Sequence, residues 1–205
     1  LIKSVIKSLK KNKTILDLGC GIGVICISLA KLGFGSKIYA SDLSKNATNL
    51  CKLNTKKAGC LITINNGDRF EPWKNYHFDY IVDDISGVAE EIAKNSPWFK
   101  NVPCDSGKDG SRLISSVIKN AKKHLNKNGK LMFPIISLSC KEKIMDIASS
   151  NFKKIKQIEK SEWFLPEDLN QYFDLLHELK DKKLIDFEFK FGKIICKTEV
   201  FIAYN

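Results

Sequence analysis

Residues Thr14–Leu32 read T-I-L-D-L-G-C-G-I-G-V-I-C-I-S-L-A-K-L, and no other stretch constrains the fold as strongly. Ile15, Leu16 and Leu18 make a short apolar run, Gly19, Gly21 and Gly23 follow at alternate positions, and Ile25, Leu29 and Leu32 recur at helical spacing. A buried strand therefore turns through glycine into a helix. Glycine is the residue for a turn with positive φ or for close approach of a ligand to the backbone. The helix start supplies unpaired N–H groups and the positive end of a dipole. A nucleotide-like ligand is seated this way in a doubly wound α/β fold.

Spacing separates two classes of ligand. The dinucleotide fingerprint wants Gly or Ala at the position that Val24 occupies, whereas D-x-G-x-G-x-G fits from Asp17 to Gly23. A carboxylate at Asp17 would repel a pyrophosphate and suits a ligand that carries an ammonium group.

The 205 residues suit one domain spanning 1–205, with a helical insertion at about 166–183. No apolar run has the length of a membrane span. The chain begins at Leu1 rather than Met, which leaves an upstream segment open. The net charge of +11 raises the question of nucleic acid, but of the 34 basic residues only Arg69 and Arg112 are arginine. The lysines spread along the whole chain, so a solvated lysine surface and a true basic patch stand as equal readings. The seven cysteines are odd in number and form no C-x-x-C pair. That argues against a disulfide framework and a zinc site, and points to a reduced, cytoplasmic setting. Cys20, inside the glycine turn, reads as a small residue tolerated near a ligand and not as a nucleophile.

Strand and helix signals alternate along the chain. Lys37–Ser41 is a second strand, with a helix from Lys45 to Ala58 facing Leu50 and Leu53 inward. Leu61–Asn65 and Phe78–Asp83 are further strands. Residues 88–108 lack clean periodicity and contain Trp98 and Phe99, which reads as a lid. A helix follows over 110–125, stopped by Asn126–Gly129. Then come a strand over Lys130–Ile136, a helix over Lys141–Ser150 and a strand over Phe152–Ile158. The chain ends with a helix over Pro166–Lys182 and a hairpin turning at Gly192-Lys193. Such alternation predicts a mostly parallel sheet covered on both faces. Asp17, Asp42, Asp68 and Asp83 all fall at strand carboxyl ends, where cofactors bind in such sheets. Asp42 is placed to hold a ribose diol, or alternatively to cap the next helix with Ser44.

With D-L-G-C-G-I-G, G-D-R-F, F-D-Y-I-V-D-D and D-S-G-K-D-G-S-R-L-I, the chain resembles the class I S-adenosylmethionine-dependent methyltransferases. Within them it resembles the group that holds release-factor glutamine and RNA nitrogen methyltransferases. The resemblance implies a Rossmann-like seven-stranded sheet, helices on both faces and a C-terminal β-hairpin. It implies S-adenosylmethionine as cofactor, with Asp17 near its methionine moiety and the Gly19–Gly23 backbone, Cys20 included, wrapped around it. Asp42 takes the ribose, Leu43 touches the adenine, Asp68 accepts from the adenine amine, Arg69 or Phe70 flanks the ring, and Asp83 sits in the cofactor wall. Many relatives carry Asn-Pro-Pro-Tyr after the fourth strand to bind the target amide or amine. Here those positions are Asp84, Ile85, Ser86 and Gly87. Asp84 is the candidate that orients the acceptor nitrogen, and an aromatic stack would have to come from Trp98 or Phe99. No metal is expected. The expected substrate is a protein glutamine or RNA, with the lysines as a possible nucleic-acid surface; the sequence leaves the oligomeric state open. The eroded acceptor motif also admits a cofactor-binding partner subunit that has lost catalysis.

Overall fold

The computed structural model describes all residues except 86, 97–101, 103 and 105, and the side chain of residue 170. Pro97, Trp98, Phe99, Pro103 and Ser86 thus lie outside the described residues. The chain runs α1 (Ile2–Ser8), β1 (Thr14–Leu18), α2 (Val24–Lys31), β2 (Lys37–Asp42), α3 (Lys45–Ala58), β3 (Thr63–Asn66), β4 (Phe78–Asp83) and α4 (Glu90–Asn95). It continues through α5 (Arg112–Ala121), β5 (Leu125–Ile136), α6 (Lys141–Asn151), β6 (Lys154–Phe164), α7 (Phe173–Asp181), β7 (Glu188–Lys190) and β8 (Lys193–Tyr204). The strands form one sheet in the order β3-β2-β1-β4-β5-β8-β6, with the short β7 attached to β8. β1 to β5 pair in parallel, and β8 runs antiparallel between β5 and β6.

The apolar runs set this order. β1 and β4 are buried along nearly their whole length, as central strands covered on both faces must be. One face packs Leu16, Leu18, Ile81, Leu131 and Phe133 under α5 and α6. The other packs Ile15, Ile38, Ala40, Tyr80 and Val82 against α1 and α2. A third cluster brings α4, Leu165, Leu169, α7 and Phe187 against Ile194 and Cys196 of β8, covering the outer half of the sheet.

Several details depart from the sequence reading. Leu50 and Leu53 are 49% and 56% exposed, while Thr48, Cys51 and Thr55 face inward. The reason is the glycine turn: Cys51 Sγ lies 2.8 Å from where a Cβ on Gly23 would be, so only small side chains fit beneath it. Leu32 is likewise exposed, past the end of α2. Asn126–Gly129 does not stop a helix but belongs to β5, since the helix ends at Ala121 and a 3-10 turn carries Lys122–His124 into the strand. β6 extends to Phe164 because β8 is twelve residues long and offers it a partner throughout. The segment over 88–108 contains α4. The last helical stretch opens as a 3-10 turn, Glu167–Tyr172, before α7.

Candidate cofactor and acceptor site

The carboxyl ends of β1 to β4 enclose a pocket of about 430 Å³. Its floor is the glycine turn, whose conformation is fixed from below. Gly19 N and Cys20 N both donate to Ser41 O at 2.9 and 3.0 Å, and Gly21 N donates to Asp42 Oδ2 at 2.9 Å. Gly19, Gly21 and Gly23 all have positive φ. A Cβ on Gly19 would lie 2.9 Å from Ile85 N, so the turn touches the backbone that follows β4. A Cβ on Gly21 would meet nothing within 4 Å, which leaves that backbone face open to a ligand.

Asp42 sits at the end of β2. Its Oδ1 accepts from Ser44 N at 2.8 Å while Oδ2 holds Gly21 N. Ser44 is the N-cap of α3, accepting from Ala47 N at 3.3 Å. Both readings of Asp42 therefore meet in one residue, since it organises the helix start and also lines the pocket. Each carboxylate oxygen keeps a further lone pair for a ligand hydroxyl. Leu43 is 53% exposed on the wall. Asp68 and Arg69 line it as well, and they hold each other: Arg69 Nε donates to Asp68 Oδ1 at 2.9 Å, Nη2 closes a second bond to Oδ2, and Nη1 reaches Ser116 Oγ at 2.7 Å. Arg69 adopts φ +46, an unfavourable backbone for a residue with a Cβ. Phe70 does not flank the pocket; it is buried and stacked on His124, with ring centroids 4.4 Å apart.

The two acids ending β4 part company. Asp83 is fully buried; its Oδ1 accepts from Ile85 N at 3.1 Å and its Oδ2 has no partner. Burial pushes its carboxyl up to about 8. Asp84 is the exposed member and lines the pocket, its backbone N donating to Leu18 O at 2.8 Å. Burial of its carboxyl pushes it up to about 6, less than for Asp83. Asp17 is also fully buried, with Oδ2 accepting from Cys26 N at 3.0 Å and Oδ1 unpartnered. Burial, then repulsion from Asp84, pushes it up to about 8. So Asp17, Gly23 and Asp83 lie behind the pocket wall, while Gly19, Cys20, Gly21, Asp42, Leu43, Asp68, Arg69 and Asp84 line it. Asp83 does not reach the pocket wall, because alternate residues of a strand face opposite ways and its side chain points into the core under α5. The Cys20 thiol is pushed up, first by the neighbouring Cys51 thiol and then by burial, as suits a passive wall residue.

Ile22, Val24, Val102 and Leu113 also line the pocket. Ile22, Val24 and Val102 are exposed there as large apolar side chains, which is visible only once the fold is built. Asn66, whose amide donates to Asp42 O and Leu43 O, braces the same wall. Among the described residues no group of histidine, cysteine and acid side chains is arranged to hold a metal.

A mostly parallel sheet in this order, with such a pocket over β1 to β4, defines the class I methyltransferase type of fold. Residues 9–183 match the methyltransferase domain family. A putative protein N5-glutamine methyltransferase of Methanocaldococcus jannaschii is 31% identical over 155 residues, covering 70% of this chain and 72% of that protein. The release factor glutamine methyltransferase of Geobacter sulfurreducens is 26% identical over 140 residues, 64% of this chain and 48% of that one, so the chain spans about half its length. Among solved structures, a 16S rRNA methyltransferase of T. thermophilus in complex with AdoMet and guanosine shares the fold with a TM-score of 0.61. It is 13% identical, with 99% of this chain and 41% of that one covered. The chain belongs to the methyltransferase domain family, as a class I, S-adenosylmethionine-dependent member.

Proposed function

We propose that the protein methylates a side-chain amide nitrogen of glutamine in a protein substrate, with Asp84 as the group that orients the acceptor. The observation that carries the reading is the position of Asp84. It is the carboxylate on the pocket wall at the end of β4, beside the glycine turn. The named relatives, two of them glutamine methyltransferases, support amide nitrogen over other acceptors.

The pocket fits S-adenosylmethionine: the open Gly21 backbone, the carboxylate of Asp42 and the exposed apolar Leu43 match a backbone cradle, a diol and a base. Asp42 binds the ribose hydroxyls. Leu43 and the Arg69 guanidinium cover the adenine, and the Asp68–Arg69 pair fixes the guanidinium plane. Gly19, Cys20 and Gly21 offer backbone contacts, while Asp17, Gly23 and Asp83 hold the loops from behind. When bound, the cofactor supplies an already activated methyl on sulfur. The chain's task is alignment and exclusion of water. Asp84, ionised above about pH 6, accepts a hydrogen bond from the acceptor N–H, directs the nitrogen lone pair into the pocket and takes the proton that the nitrogen sheds as it gains the methyl. Ile85, Val102 and Leu113 keep that end dry.

We place the protein in the cytoplasm on its thiols; among the described residues no cysteine is in a disulfide, and no helix is long and apolar enough to cross a membrane. The test is transfer of labelled methyl from S-adenosylmethionine into a cell extract, followed by nuclease or protease treatment and hydrolysis. Label recovered as methylated glutamine supports the proposal. Label confined to RNA moves the acceptor to a base nitrogen. Cofactor binding without transfer to either would make the chain a binding subunit.

A further inference from the structure

Beyond β5, away from the cofactor pocket, a second cavity of about 720 Å³ opens at the same carboxyl end of the sheet. It lies on the α6 side: Ile135 and the odd-numbered β8 residues Lys197 and Glu199 face it, while Ile194 and Cys196 turn into the core on the opposite side. Five lysines line it, Lys141, Lys160, Lys180, Lys183 and Lys197. The same wall carries three acids, Glu142, Asp186 and Glu199. Lys141 is held by Glu199 at 2.5 Å and Lys180 stands 3.7 Å from Asp186. Among the described residues Lys160 has only a 3.7 Å contact to Glu162, outside the wall, and Lys183 forms no ion pair.

Lys183 is also in an unexpected conformation. It follows α7 at φ +57, with Lys183 N donating to Lys180 O at 2.8 Å and Leu184 N to Leu179 O at 3.0 Å. Those two bonds make a Schellman helix end, whose left-handed position is normally glycine. A lysine there is disfavoured by its Cβ, and the backbone gains nothing from it. What it adds is an unpaired ammonium on the cavity wall. A residue held against its conformational preference is a reason to look for function. The start of α6, which has no side-chain cap, faces the same space through Cys140 and Lys141.

We propose that this cavity binds a phosphate-bearing anion, either a nucleic-acid phosphodiester or a free phosphate compound, with Lys183 and Lys160 as its ammonium contacts. The proposal does not depend on which nitrogen is methylated.

The full chain is titrated with a labelled short single-stranded RNA by fluorescence anisotropy and with inorganic pyrophosphate by calorimetry. S-adenosylmethionine calorimetry is run in parallel to verify the fold. Lys183→Gly and Lys160→Gln should each weaken anion binding about fivefold, as expected for loss of one phosphate contact, and leave cofactor affinity unchanged. Lys183→Gly should at the same time raise Tm, because glycine relieves the left-handed backbone. Lys57→Gln, on α3 at the other end of the sheet, should change neither. RNA binding displaced by pyrophosphate identifies a phosphodiester; pyrophosphate binding without RNA binding identifies a free phosphate compound. Saturable binding of neither probe, or an equal loss in Lys57→Gln, would overturn the proposal.

Discussion

Asp42 is the most informative residue to perturb, because structure and proposed chemistry ask different things of it. Its two oxygens take Gly21 N at 2.9 Å and Ser44 N at 2.8 Å. Hydrogen bonds to a charged acceptor are worth about 1.5–3 kcal/mol each. Asp42 is only half-buried, so freed amides recover part of that from water, and Asp42→Ala should cost about 2–3 kcal/mol of stability. For a chain of this size that is a fall in Tm of roughly 4–12 °C. Asp42→Asn keeps one acceptor oxygen and should lose about half as much. The ribose contact adds a separate loss in affinity, about 1.5–3 kcal/mol, or roughly 10–150-fold in Kd. Thermal melts give the first quantity and calorimetry with S-adenosylhomocysteine the second. A lowered Tm with unchanged Kd would leave Asp42 as a brace of the glycine turn and remove it from ribose binding. Unchanged values of both would refute the brace as well.

Three further outcomes are expected. Asp17 and Asp83 ionise near 8 in the fold against an ordinary 3.8, so between those values the unfolded chain releases protons that the folded one keeps, and stability falls as pH rises; urea melts across that range should show a shallower slope for Asp17→Asn, and an unchanged slope would mean Asp17 is not the buried acid it appears. Gly19→Ala should unfold at a markedly lower temperature than Gly21→Ala, since its Cβ collides with Ile85 N while that of Gly21 meets nothing, yet both should lose cofactor affinity; equal Tm values would contradict the packing of the turn. Asp84→Ala should lower kcat at least about tenfold with little change in cofactor Kd, the pattern of an interaction made to the acceptor; normal turnover would place the acceptor contact elsewhere.

The glycine turn, the strand ends and the helix Lys45–Ala58 are legible in the sequence because their signals are local: glycine at positive φ, an acid at the end of an apolar run, a serine cap and a glycine stop. What is not legible depends on partners distant in the chain. Leu50 and Leu53 look like a buried face until Gly23 is seen to require Cys51 and its small neighbours there. β6 shows no alternation, having one exposed edge and many lysines, and only β8 defines its length. Asp83 and Asp84 are chemically identical in sequence; the pleat of β4 buries one and exposes the other. Arg69 reads as a ring neighbour, but its bonds to Asp68 and to Ser116 of α5 appear only in the fold.

Placing the glycine turn and Asp84 at the ends of neighbouring strands has a mechanical consequence. Leu18 and Asp83 are register partners in β1 and β4, and the ladder continues one step beyond the strands, where Asp84 N donates to Leu18 O. At the next position Gly19 meets the Ile85 backbone so closely that no side chain could stand between them. Ile85 N in turn is held by the buried Asp83. The glycine turn and the loop that presents Asp84 are thus joined by backbone contacts and cannot shift independently. In-line methyl transfer rewards that rigidity, because the reaction needs donor, methyl and nitrogen on one line and little acid–base chemistry. The buried acids Asp17 and Asp83 carry a stability cost at neutral pH, and each bonds to a backbone amide of the element that follows its strand, α2 for Asp17 and the loop after β4 for Asp83. Their burial therefore stabilises the geometry between the two halves of the site at the expense of the fold as a whole.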